Sequence, residues 1–172
     1  MTENIDTSIC LTKLTTSDGP LVYRMLQRIP RLENGFYNGA YDLSYDAYKR
    51  WLIRQDEISR GINLEKDMVP QTMYWLVVDH IPVGYGKLRH ELTDILRETG
   101  GNISYSIEPT RRGKGYGTLL LSHLLEEAKK SGQSEAIVTA YNYNFKSIHV
   151  AKRNGGINYR ITNVKHYFRF QL

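Results

Sequence analysis

Arginine, lysine and glycine crowd together in Arg111-Arg112-Gly113-Lys114-Gly115-Tyr116-Gly117-Thr118, after a short apolar run from Ile103 that ends at Pro109 and before a leucine-rich helical pattern. Strand, glycine-rich turn and helix start in that order suit a phosphate group. The glycines let the backbone approach a ligand with no Cβ between them. The helix start offers unpaired N–H groups and the positive end of its dipole. Arg111, Arg112 and Lys114 add formal charge at the same place. A P-loop requires G-x-x-x-x-G-K-[ST], which no window here supplies. The dinucleotide fingerprint G-x-G-x-x-G finds Gly115 and Gly117 but meets Leu120 where the third glycine belongs. The alternative to a phosphate site is an ordinary strand-to-helix turn whose charges face water.

The elements that must position this turn follow from periodicity and punctuation. Ser8 to Leu14 reads as a strand. Asp18 can cap a helix begun by Pro20, with Val22, Met25, Leu26 and Ile29 at helical spacing and Pro30 as its stop. Arg31 to Leu43, rich in Gly, Asn, Tyr and Asp, reads as a long surface loop. Ser44 caps a second helix that buries Tyr48, Trp51, Leu52 and Ile58 and ends at Gly61. Thr72 to Val78 and Val83 to Arg89 form a hairpin, Glu91 to Glu98 a helical turn, and Ile103 to Ile107 the strand that feeds the phosphate turn. Leu121, Leu124, Leu125 and Ala128 then mark a helix, Ala136 to Ala140 a buried-type strand, and Asn144 the cap of a helix closed by Asn154-Gly155-Gly156. Val164 to Gln171 reads as a closing strand. The order is mixed α/β, with no repeat or linker.

Composition bounds the answer. A chain of 172 residues fits a single domain, residues 1–172, with a full core. Its 41% hydrophobic and 24% charged residues are those of a soluble globular protein. No run approaches the roughly 18 apolar residues of a membrane span. The start Met1-Thr2-Glu3-Asn4 lacks the basic and apolar regions of a signal peptide, and a cytoplasmic location is the simplest expectation. Cys10 stands alone, which leaves no disulfide framework or cysteine metal cluster. The formal charge of +5 admits either nucleic acid or a small polyanion as partner. The cations are spread along the chain without a nucleic-acid-binding signature, so the small polyanion is the expectation. Thirteen tyrosines against four phenylalanines suggest hydroxyls that line a polar cleft.

What the turn does match is [RQ]-x-x-G-x-[GA], as Arg112, Gly115 and Gly117, and it resembles the acetyl-CoA-binding motif of the GCN5-related N-acetyltransferases. About thirty residues on, Asn144 and Ser147 match that family's N-x-x-[SA] helix start and Gly155 its closing glycine, while Gly156 replaces the usual aromatic. The resemblance runs from about Thr72 to Gly156. Val69-Pro70-Gln71-Thr72, Leu88-Arg89-His90-Glu91-Leu92 and Lys152-Arg153-Asn154-Gly155-Gly156 resemble a subgroup with no assigned substrate. The fold it implies is a central, mostly antiparallel sheet with a splayed parallel strand pair and flanking helices. Acetyl-CoA is the implied co-substrate. Its pantetheine arm would lie near Ile107 and Pro109, its pyrophosphate at Arg112, Gly113, Lys114, Gly115, Tyr116, Gly117 and Thr118, with Asn144 and Ser147 alongside. Asn144 serves equally as a plain helix cap.

The activity implied is direct acetyl transfer to a primary amine of a small molecule or peptide. An amine with a pKa of about 10.4 must lose its proton to a base or a water relay. Glu108, at the end of its strand, is one candidate base, with Glu91 and His90 as rivals. The tyrosine that many members carry seven positions beyond the motif asparagine is Ala151 here, with Tyr143, His149 and Tyr159 nearby. Phe36, Tyr37, Tyr41 and Tyr45 form either an acceptor wall or packing for the first two helices, and Asp42 and Asp46 are candidate attractants for a cationic amine. A catalytically silent acyl-CoA-binding sensor and a basic nucleic-acid-associated domain are the competing readings. No metal site, membrane contact or nucleic-acid partner is expected, and a homodimer is left open.

Overall fold

Two long strands, largely buried on both faces, build the first sheet, and the computed structural model describes residues 7–172. In chain order the elements are β1 (Ile9–Lys13), α1 (Pro20–Arg28), β2 (Leu32–Glu33), β3 (Phe36–Tyr37), α2 (Tyr45–Ser59), β4 (Gln71–Val78), β5 (Ile81–Arg89), α3 (Asp94–Thr99), β6 (Ile103–Ile107), α4 (Tyr116–Lys130), β7 (Glu135–Tyr141), α5 (Phe145–Arg153), β8 (Ile157–Ile161) and β9 (Lys165–Gln171). The start Met1 to Asn4, read above against a signal peptide, lies outside the described residues. No described helix is long and apolar enough to cross a membrane.

The first sheet is antiparallel throughout, in the order β1-β4-β5-β6, and the second runs β7-β9-β8. One face of the first sheet carries Trp75 and Tyr85, packed under α1 and α2 with Met25, Leu26, Tyr48 and Leu52. The other carries Leu76, Leu88, Ile103 and Ile107, packed with Leu120, Leu121 and Leu124 of α4 and with Phe168 of β9. The period-2 strands and the helical stripe of α4 are thus the two halves of one buried layer.

Among the described residues, one isolated backbone bridge joins the two larger sheets. Gly101 bridges Val138, and Asn102, fully buried, donates its N–H to the Ile137 carbonyl while its Oδ1 accepts from Ile137 N–H at 2.7 Å. Only glycine fits at 101. Its φ is +73° and a Cβ would stand 1.9 Å from the Ile137 carbonyl oxygen. Past this bridge β6 and β7 share no ladder. The splayed pair expected from the resemblance is therefore held at its base and open above it.

Two local expectations need correction, and one strand was not foreseen. Asp18 does not cap α1; Gly19 occupies that position, and the Asp18 carboxylate accepts from Thr15 N–H and from Trp75 Nε1 at 2.7 Å. The stretch Arg31 to Leu43 is not simply a surface loop. Leu32–Glu33 and Phe36–Tyr37 pair as a hairpin about Asn34-Gly35, both at positive φ, the combination a type I′ turn requires. The Asn38 amide, fully buried, donates to the Leu26 and Ile29 carbonyls, both at 2.8 Å, so it closes the open end of α1 and anchors the hairpin. Finally, Ile157–Ile161 is a further strand whose alternating exposure hid it among polar residues.

Candidate active site

A cavity of about 1040 Å³ occupies the gap between the two sheets. The start of α4 lies on one side of it, α5 lines another, and the β2–β3 hairpin lines a third. The hairpin is seated firmly: a Cβ on Gly35 would come within 2.9 Å of the Tyr141 ring, and Lys87 Nζ donates to the Tyr37 carbonyl.

The glycine turn opens onto this cavity. Gly113 and Gly115 both have φ +81°, and a Cβ on either would meet no described atom within 4 Å. Gly115 caps α4 with no side-chain hydrogen bond, and the N–H groups of Gly113, Lys114, Gly115, Tyr116 and Gly117 have no acceptor among the described residues. Five successive free amides at a helix start form an anion cradle. Lys146, His149, Val150 and Arg153, at helical spacing, bring one face of α5 to the same cavity.

Most residues named from the sequence for coenzyme binding converge here. Ile107, Arg112, Gly113, Gly115, Tyr116, Gly117, Thr118, Asn144 and Ser147 line the cavity, whereas Pro109 and Lys114 do not. Arg112 lines it without facing the amides. Its Nε donates to the Ile107 carbonyl at 2.9 Å and its terminal nitrogens grip both carboxylate oxygens of Glu33. That hydrogen-bonded guanidinium holds the Glu33 carboxyl below the usual carboxylate range. Asn144 is a cap in fact, its Oδ1 accepting from Ser147 N–H at 3.2 Å.

The named acid–base candidates do not converge. Glu108 is 1% exposed and outside the cavity lining, its carboxylate bound by Thr110 Oγ1 at 2.6 Å and by Arg28 at 3.4 Å. Glu91 is exposed and away from the cavity, and Tyr143 is 64% exposed, stacked on Tyr141. None of the three is among the residues that line the cavity. His90 is held by Thr72, His149 lies at the mouth, and Ala151 belongs to the core. Of the aromatic wall, Phe36 and Tyr37 line the cavity, while Tyr41 sits under Arg31 and Tyr45 packs on Tyr23 and Tyr48. Asp42 and Asp46 are exposed and elsewhere.

The fold brings in residues the sequence reading passed over. Tyr105 reaches Ser147, Oη to Oγ, at 3.2 Å, and burial pushes its phenol up to about 12. Lys87, Arg89 and Lys165 also line the cavity, with Ser104 and Ser106. Strand register is the signal that finds them: Lys87 lies opposite Ser104 and Tyr85 opposite Ser106, and directly opposed residues share a face. Burial and the neighbouring Arg89 lower the Lys87 ammonium to about 8.

The profile of the acetyltransferase (GNAT) family matches residues 28–156. Among solved structures, the ribosomal L7/L12 α-N-protein acetyltransferase RimL in complex with coenzyme A superposes with a TM-score of 0.69 at 14% identity, over 96% of this chain and 94% of that one. The GNAT domain of S. lividans PAT gives 0.65 at 13% identity over 94% and 89%. The Campylobacter jejuni N-acetyltransferase PseH in complex with acetyl coenzyme A gives 0.63 at 11% over 95% and 99%. At such identities these likenesses are of fold. No curated protein matches. The chain belongs to the acetyltransferase (GNAT) family.

Proposed function

We propose that this GNAT-family chain transfers the acetyl group of acetyl-CoA directly to a primary amine. The observation that carries this reading is the row of free amides from Gly113 to Gly117 at the edge of the cavity. They suit the pyrophosphate, and Lys146 and Arg153 supply charge for the remaining phosphate. Past Asn102, the edge of β6 turned from β5 has no strand partner among the described residues, so its N–H and C=O groups, apart from the Ile107 carbonyl that Arg112 holds, can bond a pantetheine arm laid alongside it.

In the transfer, the amine nitrogen forms a bond to the acetyl carbon, the carbon–sulfur bond breaks, the amine proton passes to solvent, and coenzyme A leaves as thiolate. A free N–H of β6 in the gap stabilises the tetrahedral oxyanion. Among the described residues no carboxylate other than Glu33 lines the cavity, and Arg112 holds that one. Deprotonation instead follows from charge: Lys87, Arg89 and Lys165 disfavour an ammonium beside them and so favour the neutral nucleophile. The Tyr105 hydroxyl, protonated at neutral pH and paired with Ser147, hydrogen-bonds the departing thiolate in place of the tyrosine that Ala151 replaces.

Release of free thiol from acetyl-CoA on addition of primary amines tests this reading. Amine-dependent release supports it. Tight acetyl-CoA binding with no release from any amine would instead indicate a silent acyl-CoA sensor.

A further inference from the structure

The acceptor end of the cavity holds positive charge that the protein leaves unbalanced. Lys87 and Arg89 are alternate residues of β5 and present the same face, and Lys165 begins β9. Lys87 Nζ donates to the Tyr37 carbonyl, Arg89 Nη1 to the Gly101 carbonyl at 3.1 Å, and Lys165 Nζ to the Thr99 carbonyl. None of the three has a carboxylate partner among the described residues. Arg89 and Lys165 hold carbonyls of one short segment, Thr99 to Gly101, which places them together. Burial depresses the ionisation of all three, the signature of cations kept charged without compensation. Ser104 and Ser106 add hydroxyl donors on the same face. Above them, Gly35 on Tyr141 and Tyr37 on Lys87 close the roof.

Three partly desolvated cations, with carbonyl oxygens and, for Lys87 and Lys165, the faces of Phe36 and Tyr141 as partners but no carboxylate, form a receptor for an anion in this roofed cavity. We infer that the acceptor is a small primary amine that also carries a carboxylate or phosphate, held by Lys87, Arg89 and Lys165. The inference rests on the acetyl-transfer reading and narrows it. It opposes the cationic acceptors suggested by Asp42 and Asp46, since a polyamine would meet like charge at each of these positions. The roof favours a free small molecule over a folded protein surface.

The test uses matched amines in the thiol-release assay: ethanolamine against O-phosphoethanolamine, propylamine against β-alanine, and spermidine. The anionic member of each pair is expected to show the higher kcat/KM, by roughly 30-fold or more. The two pairs separate phosphate from carboxylate as the preferred group. Arg89→Gln and, separately, Lys165→Met should abolish that preference while calorimetry shows acetyl-CoA still bound. Two variants guard against a local folding defect at either site. Equal or better turnover of neutral amines or spermidine overturns the inference but leaves acetyl transfer standing. Absence of acetyl-CoA binding overturns the underlying reading instead. If acetyl-CoA binds and no amine of either pair is acetylated, the inference fails as well.

Discussion

Arg112 grips both carboxylate oxygens of Glu33 across 79 residues of sequence while its Nε holds the Ile107 carbonyl. One side chain thus joins the phosphate turn, the end of β6 and the hairpin that roofs the cavity. Residue type and spacing place Arg112 at the turn, but the fold directs its charge to the roof. What the turn leaves open to a ligand is its row of N–H groups.

Both partners of this pair are about one-third exposed, so the pair contributes only about 1 kcal/mol. Glu33→Gln should lower Tm by roughly 2–4 °C and speed amide exchange at residues 32–37. Because the folded Glu33 pKa lies below its ordinary 4.5, the contribution is complete above 4.5 and is lost as pH falls through the folded value. Hairpin protection that is unchanged in Glu33→Gln would show that the pair does not hold the roof.

Gly115→Ala places a Cβ on a residue at φ +81° with no atom within 4 Å, so its folding cost is the backbone strain of about 1–2 kcal/mol. Gly132, at φ +85° and equally open, carries the same strain away from the cavity. Both alanine variants should lose similar stability. Only Gly115→Ala should weaken acetyl-CoA, by about tenfold or more. Equal affinity in the two variants would remove the turn from the binding site.

Tyr105→Phe keeps the ring but removes the hydroxyl that faces Ser147. The expected effect is a kcat about 100-fold lower with KM for acetyl-CoA unchanged. Ser147→Ala should give a smaller loss in the same direction. A Tyr105→Phe enzyme with wild-type kcat would exclude the hydroxyl from thiolate stabilisation.

Lys87, with its pKa lowered to about 8, is charged at neutral pH at a cost to the fold. The sign is the reverse of an ion pair: the penalty is present below about 8 and disappears between there and the ordinary 10.5. Lys87→Met should therefore be more stable than wild type at pH 7, by roughly 1–3 kcal/mol, and the difference should shrink at pH 9.5. Denaturant midpoints at the two pH values measure this. A less stable variant at pH 7 would mean that the ammonium is already compensated.

The turn, its flanking strand and helix, and the Asn144 cap were legible because each rests on local rules: glycine at positive φ, apolar alternation, and a side chain that bonds the backbone three residues on. The acid–base candidates Glu108, Glu91 and Tyr143 fall outside the cavity lining because proximity in sequence to a strand end says nothing of which way a side chain turns. Glu108 turns toward Arg28 and Thr110, away from the gap. Tyr105, Lys87 and Arg89 required the β5–β6 register, which only pairing supplies. The hairpin was within reach, since Asn34-Gly35 is a strong turn signal, but two-residue strands carry no periodicity of their own.

Calorimetric titration of the protein with acetyl-CoA tests the central claim most directly. The account predicts binding at one site per chain, with affinity reduced about tenfold or more by Gly115→Ala and unchanged by Gly132→Ala. No binding, or binding indifferent to Gly115→Ala, would contradict it.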